Sequence, residues 1–143
     1  MKGAAPKLSY LLELLPLLSS SGGTDLLVEY EDMFSYWGPL HNVSATTAYS
    51  LQDISALLQA AKDNNLGVIP LVQTFGHLEF VLKLEHFKNM REEPAYPQSL
   101  CPSLGKAVDM VRTMVTQIME IHKDSTHIHI GCDEVGERYI YDR

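Results

Sequence analysis

The chain has 143 residues, 45% of them hydrophobic and 20% charged, the make-up of one globular domain with its own core. Its formal net charge of −7 argues against a general binder of nucleic acid or of an anionic membrane, since both want a basic face. A neutral ligand or substrate fits this balance.

Residues 8–20 form the first predicted helix, apolar on most faces and stopped by Ser21-Gly22-Gly23. The segment contains Glu13 and Pro16, no small-residue cleavage site follows it, and it is too short to span a bilayer. It therefore reads as neither secretory leader nor membrane span, and the expected location is cytoplasmic or nuclear. Residues 25–30 (DLLVEY) are a short apolar run of strand type. Residues 31–47 show no period and are expected to be a long loop, in which Asn42-Val43-Ser44 is a chance glycosylation triplet.

Ser50-Leu51-Gln52-Asp53 resembles a capping box, and the helix behind it carries Leu51, Ile54, Leu57, Leu58 and Ala61 on one stripe. Asn64, Asn65 and Gly67 end it. Residues 68–72 (VIPLV) are a second strand, residues 73–77 a loop, and a helix-like stretch runs from Leu78 to about Met90. Residues 91–102 hold Pro94, Pro97 and Pro102 and are expected to be loop. Ser103 is expected to cap a long helix that buries Leu104, Ala107, Val108, Val111, Val115, Ile118 and His122. The last strand is 127–132 (HIHIGC), followed at once by Asp133 and Glu134. Cys101 and Cys132 lack zinc-ligand spacing. Cys132 is expected to pack as a small hydrophobe, a usage that leans towards a reducing compartment.

Apolar strands alternating with helices imply an α/β fold with parallel pairing and right-handed crossovers. Two architectures fit: an open doubly wound sheet, or part of a (β/α)8 barrel. Each strand ends in polar residues: Glu29, Glu31 and Asp32 after the first, Gln73 and His77 after the second, Asp133 and Glu134 after the third. In both architectures ligands bind at that end of the strands. No Gly-rich phosphate loop is present.

Asp133-Glu134 suits glycosidic bond cleavage, where one carboxyl donates a proton and another group stabilises positive charge at the anomeric carbon. Burial or a neighbouring anion can keep the donor protonated. The alternative is a pair of surface acids at a strand end. His127 and His129 share a strand face with Asp133, as a metal-dependent hydrolase on a barrel would require; otherwise one ring packs and one is exposed. His77 could tune a catalytic carboxyl or simply lie in a loop. Tyr30, Phe34, Tyr36 and Trp37 could stack on sugars, as a non-catalytic carbohydrate-binding fragment would also need, or anchor the core.

His129-Ile130-Gly131-Cys132-Asp133-Glu134 resembles the H-x-G-x-D-E signature of the family 20 β-N-acetylhexosaminidases. Val68 through His77 resembles that family's third-strand segment, which commonly ends in Pro-Gly-His; Phe75 stands here in place of the proline. Residues 25–34 sit where the family's second strand ends in acids and an aromatic. The resemblance implies that the three strands are the second to fourth of a (β/α)8 TIM barrel. It also implies that residues 1–143 are a partial catalytic domain, with the first strand and strands five to eight missing. A complete barrel takes roughly 250 residues.

The resemblance further implies substrate-assisted, retaining hydrolysis of terminal N-acetylhexosamine from glycoconjugates. The 2-acetamido carbonyl attacks the anomeric carbon and gives an oxazolinium intermediate. Glu134 is implied as general acid and then base, and Asp133 as the group that orients the acetamido N–H. His77 and an acid at Asp32, or its neighbour Glu31, are implied to tune Glu134, with His129 supporting the carboxylates from inside the barrel. No metal or organic cofactor is implied, and the 143-residue chain alone is expected to be inactive.

Overall fold

The computed structural model describes Met1 and residues 5–132. The elements, in order, are α1 (Leu8–Ser20), β1 (Asp25–Glu29), α2 (Leu51–Asp63), β2 (Gly67–Leu71), α3 (Glu79–Leu82), β3 (Arg91–Glu93), β4 (Tyr96–Leu100) and α4 (Gly105–Ile121). Short 3-10 segments at Glu31–Met33, Gly38–Val43 and Glu85–Met90 lie between them.

Local signals form the early elements. The α1 helix ends as its composition predicts: the Gly23 N–H bonds the Leu18 carbonyl, with Gly22 left-handed at φ +91°. The α2 helix starts on a complete capping box. The Asp53 N–H donates to Ser50 Oγ at 3.1 Å, and the Ser50 N–H donates to Asp53 Oδ2 at 2.9 Å. Its predicted stripe is inward, with Ile54, Leu57 and Ala61 buried.

β1 and β2 pair in parallel, from Asp25 opposite Gly67 to Glu29 opposite Leu71. On the other side of β2, Leu71 bridges His129, also in parallel; the His129 N–H donates to the Pro70 carbonyl and the Val72 N–H to the His129 carbonyl, both at 2.9 Å. Residues 127–132 thus meet β2 at one bridge and form no extended strand among the described residues. Ile130 is 51% exposed and Cys132 is exposed too, so the expected packed thiol is instead at the surface.

α1 packs on α2, and α2 on α4, so the crossover helices line one face of the parallel layer. Val28 and Val72 point into that interface, where they join Ile54, Met110, Met114 and Ile118 in one core. Asp25, Leu27 and Glu29 take the opposite face, and Leu27 is 57% exposed there. An apolar groove of about 530 Å³ runs beside β1, lined by Leu11, Leu14, Leu15, Leu18, Leu26 and Leu27.

Further expectations need correction or refinement. Residues 31–47 form the expected long connection, with two 3-10 segments, but it carries core side chains: Met33, Phe34, Tyr36, Leu40 and Val43 are buried, and Phe34 bridges Tyr49. The helix-like stretch from Leu78 breaks at Lys83-Leu84 into α3 and the 3-10 segment Glu85–Met90. Residues 91–100 contain an antiparallel hairpin, β3–β4, with Pro94 in its turn and Pro97 on a two-stranded ribbon whose free edge tolerates a missing N–H. The α4 helix has Leu104, not Ser103, at its N-cap, with no side-chain cap bond.

The buried face of α4 is also rotated from the predicted one. Ala107, Met110, Met114, Gln117 and Ile118 are buried, while Leu104 and Val108 are 39% and 42% exposed. Gln117 turns inward because its amide clamps a loop backbone: its Oε1 accepts from the Trp37 N–H at 3.1 Å and its Nε2 donates to the Trp37 carbonyl at 3.0 Å. Hydropathy counts Gln117 as polar and shifts the expected stripe towards the valines. Among the described residues no helix is long and apolar enough to cross a membrane.

Candidate active site

Three parallel segments bring their carboxyl ends to one rim. Glu29, Leu71 and His129 stand side by side across them, because Glu29 is the register partner of Leu71 and Leu71 that of His129. Two residues beyond the end of β2, Gln73 is 7% exposed and donates from Nε2 to Glu29 Oε1 at 2.8 Å. The carboxylate only accepts, so the amide nitrogen must face Glu29 and the amide oxygen must face the other way.

That oxygen lies against Gly131. A Cβ at Gly131 would come 2.4 Å from Gln73 Oε1 and 2.8 Å from Gln73 Cα, and the Gly131 φ of +54° is left-handed. Only glycine meets both demands. The segment is tethered again by Thr74, whose hydroxyl donates to the Ile130 carbonyl at 2.7 Å. His129 Nδ1 accepts the Gly131 N–H at 3.1 Å, so the neutral ring carries its proton on Nε2.

His77 sits half-buried in the loop after β2 with φ +54°. A left-handed conformation costs a non-glycine residue about 1–2 kcal/mol, and the hairpin holds the loop against it. The Leu78 N–H donates to the Gln98 carbonyl and the Leu100 N–H to the Phe75 carbonyl, both at 3.0 Å. Asp32, in the 3-10 segment after β1, has its carboxylate 3.6 Å from Lys83 Nζ. Glu31 beside it is buried, at φ +50°. Burial first, then the charges of Glu31 and Asp32, push the Tyr36 hydroxyl well above the ordinary tyrosine range, so both acids lie near that ring.

The aromatic cluster belongs to the core. Tyr30 and Phe34 are fully buried, with ring centroids 5.7 Å apart, and Tyr36 meets Phe34 edge-on at 4.9 Å. His127 is exposed, with Nδ1 2.9 Å from Thr126 Oγ1. Among the described residues no three His, Cys, Asp or Glu side chains converge as metal ligands. Asp133 and Glu134 lie outside the described residues.

The structure therefore brings His129 to the rim beside a Glu29–Gln73 pair, and places Asp32 and His77 in the loops that follow β1 and β2. The Glu29–Gln73 pair was not among the candidate site residues. Its sequence signal was a polar residue at the end of each apolar run, without any sign that the two would meet.

A parallel strand layer with helices on one face and polar strand tips at one rim defines the class of fold, a portion of a (β/α)8 barrel. Solved structures share it. The chain matches the β-N-acetylhexosaminidase from Bacteroides fragilis with a TM-score of 0.69 at 16% identity, over 92% of this chain and 30% of that one. It matches the GH20 exo β-N-acetylglucosaminidase from Vibrio harveyi with a TM-score of 0.71 at 13% identity, over 91% of this chain and 26% of that one.

The chain belongs to glycosyl hydrolase family 20, whose catalytic-domain model matches residues 10–141. It is 49% identical over 135 residues to Hexosaminidase D of Homo sapiens, an alignment that covers 94% of this chain and 28% of that protein. The chain thus spans under a third of the length of this curated relative.

Proposed function

We propose that residues 1–143 are the part of a β-N-acetylhexosaminidase catalytic domain that supplies its second to fourth barrel strands and its acid pair. The missing first strand and strands five to eight would complete the barrel. The substrate is a glycoconjugate with a terminal N-acetylhexosamine; the Vibrio harveyi structure was solved with N-acetylglucosamine bound. One observation carries this reading. In a chain of this family, the left-handed Gly131 packs on Gln73 at the rim, two residues before Asp133.

The substrate's acetamido oxygen displaces the leaving group and forms an oxazolinium ion. Glu134 protonates the departing oxygen and then activates water. Asp133 holds the acetamido N–H and offsets the charge of the ion, while His77, Asp32 and His129 support the two carboxyls. Retention of configuration follows from the two displacements.

An extended chain that completes the barrel is the protein to assay, with aryl and natural N-acetylhexosaminides. Glu134→Gln should abolish turnover of unactivated glycosides yet spare substrates with activated leaving groups, and Asp133→Asn should impair both. Near-normal turnover of an unactivated substrate by Glu134→Gln would refute the assignment. The 143-residue chain alone should be inactive, since its groove beside β1 and its exposed Leu17, Leu18 and Leu27 have no cover among the described residues.

A further inference from the structure

We propose that Gln73, locked by Glu29, is a positioning residue for the reaction: the template on which the segment through His129 turns to aim the acid pair. This rests on the hexosaminidase reading above.

Two observations meet at this side chain. Its Nε2 is held by the Glu29 carboxylate at 2.8 Å, which selects one orientation of the amide. Its Oε1 is buried and has no hydrogen-bond partner among the described residues, although a buried carbonyl without a donor is costly. The same oxygen is the nearest atom to the position a Gly131 Cβ would take, with Gln73 Cα next. The backbone of the third segment is therefore drawn onto Gln73 more closely than any other residue type at 131 would allow, and it turns left-handed there.

Gly131 precedes Asp133 by two residues and Glu134 by three. A displaced turn at 131 is carried into both carboxyls, and a misplacement of about 1 Å can cost on the order of a hundredfold in rate. Glu29 sets the amide and the amide sets the turn.

Gln73→Leu removes the amide at nearly constant volume, and Glu29→Leu removes its anchor. Both are to be made in the extended, barrel-completing protein, with circular dichroism and melting curves establishing the folded fraction. Turnover of an unactivated aryl N-acetylhexosaminide by folded Gln73→Leu should fall about tenfold or more in kcat with KM little changed. Glu29→Leu should fall alike, and the Glu29→Leu/Gln73→Leu double variant no further.

A residue needed only for stability would lower the folded fraction and leave kcat per folded molecule unchanged. That result overturns the proposal while the hexosaminidase reading stands. Should Gln73→Leu fail to fold, the double variant, with two apolar side chains facing each other, decides in its place; an unfolded double variant makes the pair a folding requirement and overturns the positioning role. A parent protein that turns over no N-acetylhexosaminide removes both readings together.

Discussion

The Tyr30 hydroxyl, at the end of β1, donates to Nε2 of His122, the C-cap of α4, at 3.0 Å across 92 residues of sequence. Both side chains are almost fully buried. His122 Nδ1 lies 2.8 Å from the Ile118 carbonyl, which only accepts, so the proton sits on Nδ1 and Nε2 is left to receive the phenol. Burial pushes the Tyr30 hydroxyl far above its ordinary range and keeps it a donor. The bond fastens the last helix to the strand layer behind the rim.

Tyr30→Phe should therefore destabilise the fold by about 1–3 kcal/mol, the cost of leaving a buried ring nitrogen unpaired. Urea midpoints of the variant and the parent protein measure it. A shift of only a few tenths of a kcal/mol would mean that water replaces the phenol.

The same pair predicts a pH dependence. Burial, partly opposed by the bond to Ile118, lowers the proton affinity of His122 below the ordinary histidine value of 6.5. The unfolded chain then binds a proton that the folded chain resists. The stability this ring contributes is complete above pH 6.5 and is lost as pH falls from there through the lowered folded value. Urea midpoints between pH 7.5 and about 5 should decline, and His122→Gln should flatten that slope before the carboxylates titrate near about 4. An equal slope in His122→Gln would assign the effect to other groups.

Gln117→Leu looks conservative in volume and should be destabilising. It strips both partners from the Trp37 backbone, whose N–H and carbonyl Gln117 holds. Each orphaned group costs about 1–3 kcal/mol when fully buried and less here, where both bonds are half-buried. Thermal melts should show a loss of about 1–2 kcal/mol, together with faster amide exchange at Trp37. A stabilised variant would show that the predicted apolar stripe, not the clamp, governs this face.

Ser50→Ala tests a local element. Loss of the Oγ that accepts the Asp53 N–H should cost about 1 kcal/mol, as at other helix N-termini. Ser50→Asn should restore most of it. Denaturation midpoints of the two variants should therefore differ, with Ala the lower.

What the sequence by itself determined lies within a few residues of its own signals. The stop at Gly22-Gly23, the Ser50–Asp53 cap, the stripe of α2 and the two apolar strand runs each depend on neighbours along the chain, so hydropathy period and cap chemistry reveal them. The wording around His77 and His129 through Glu134 likewise pointed to the family that the comparisons show.

Tertiary structure alone decided the rest. Glu29 meets Gln73 across 44 residues, Trp37 meets Gln117 across 80, and Tyr30 meets His122 across 92. No local pattern encodes such meetings, and they overrule it: Gln117 rotates the buried face of α4, and residues 31–47, though without a period, pack as core. A polar side chain goes inside when a partner from a distant segment satisfies it, and only the folded chain brings that partner into place.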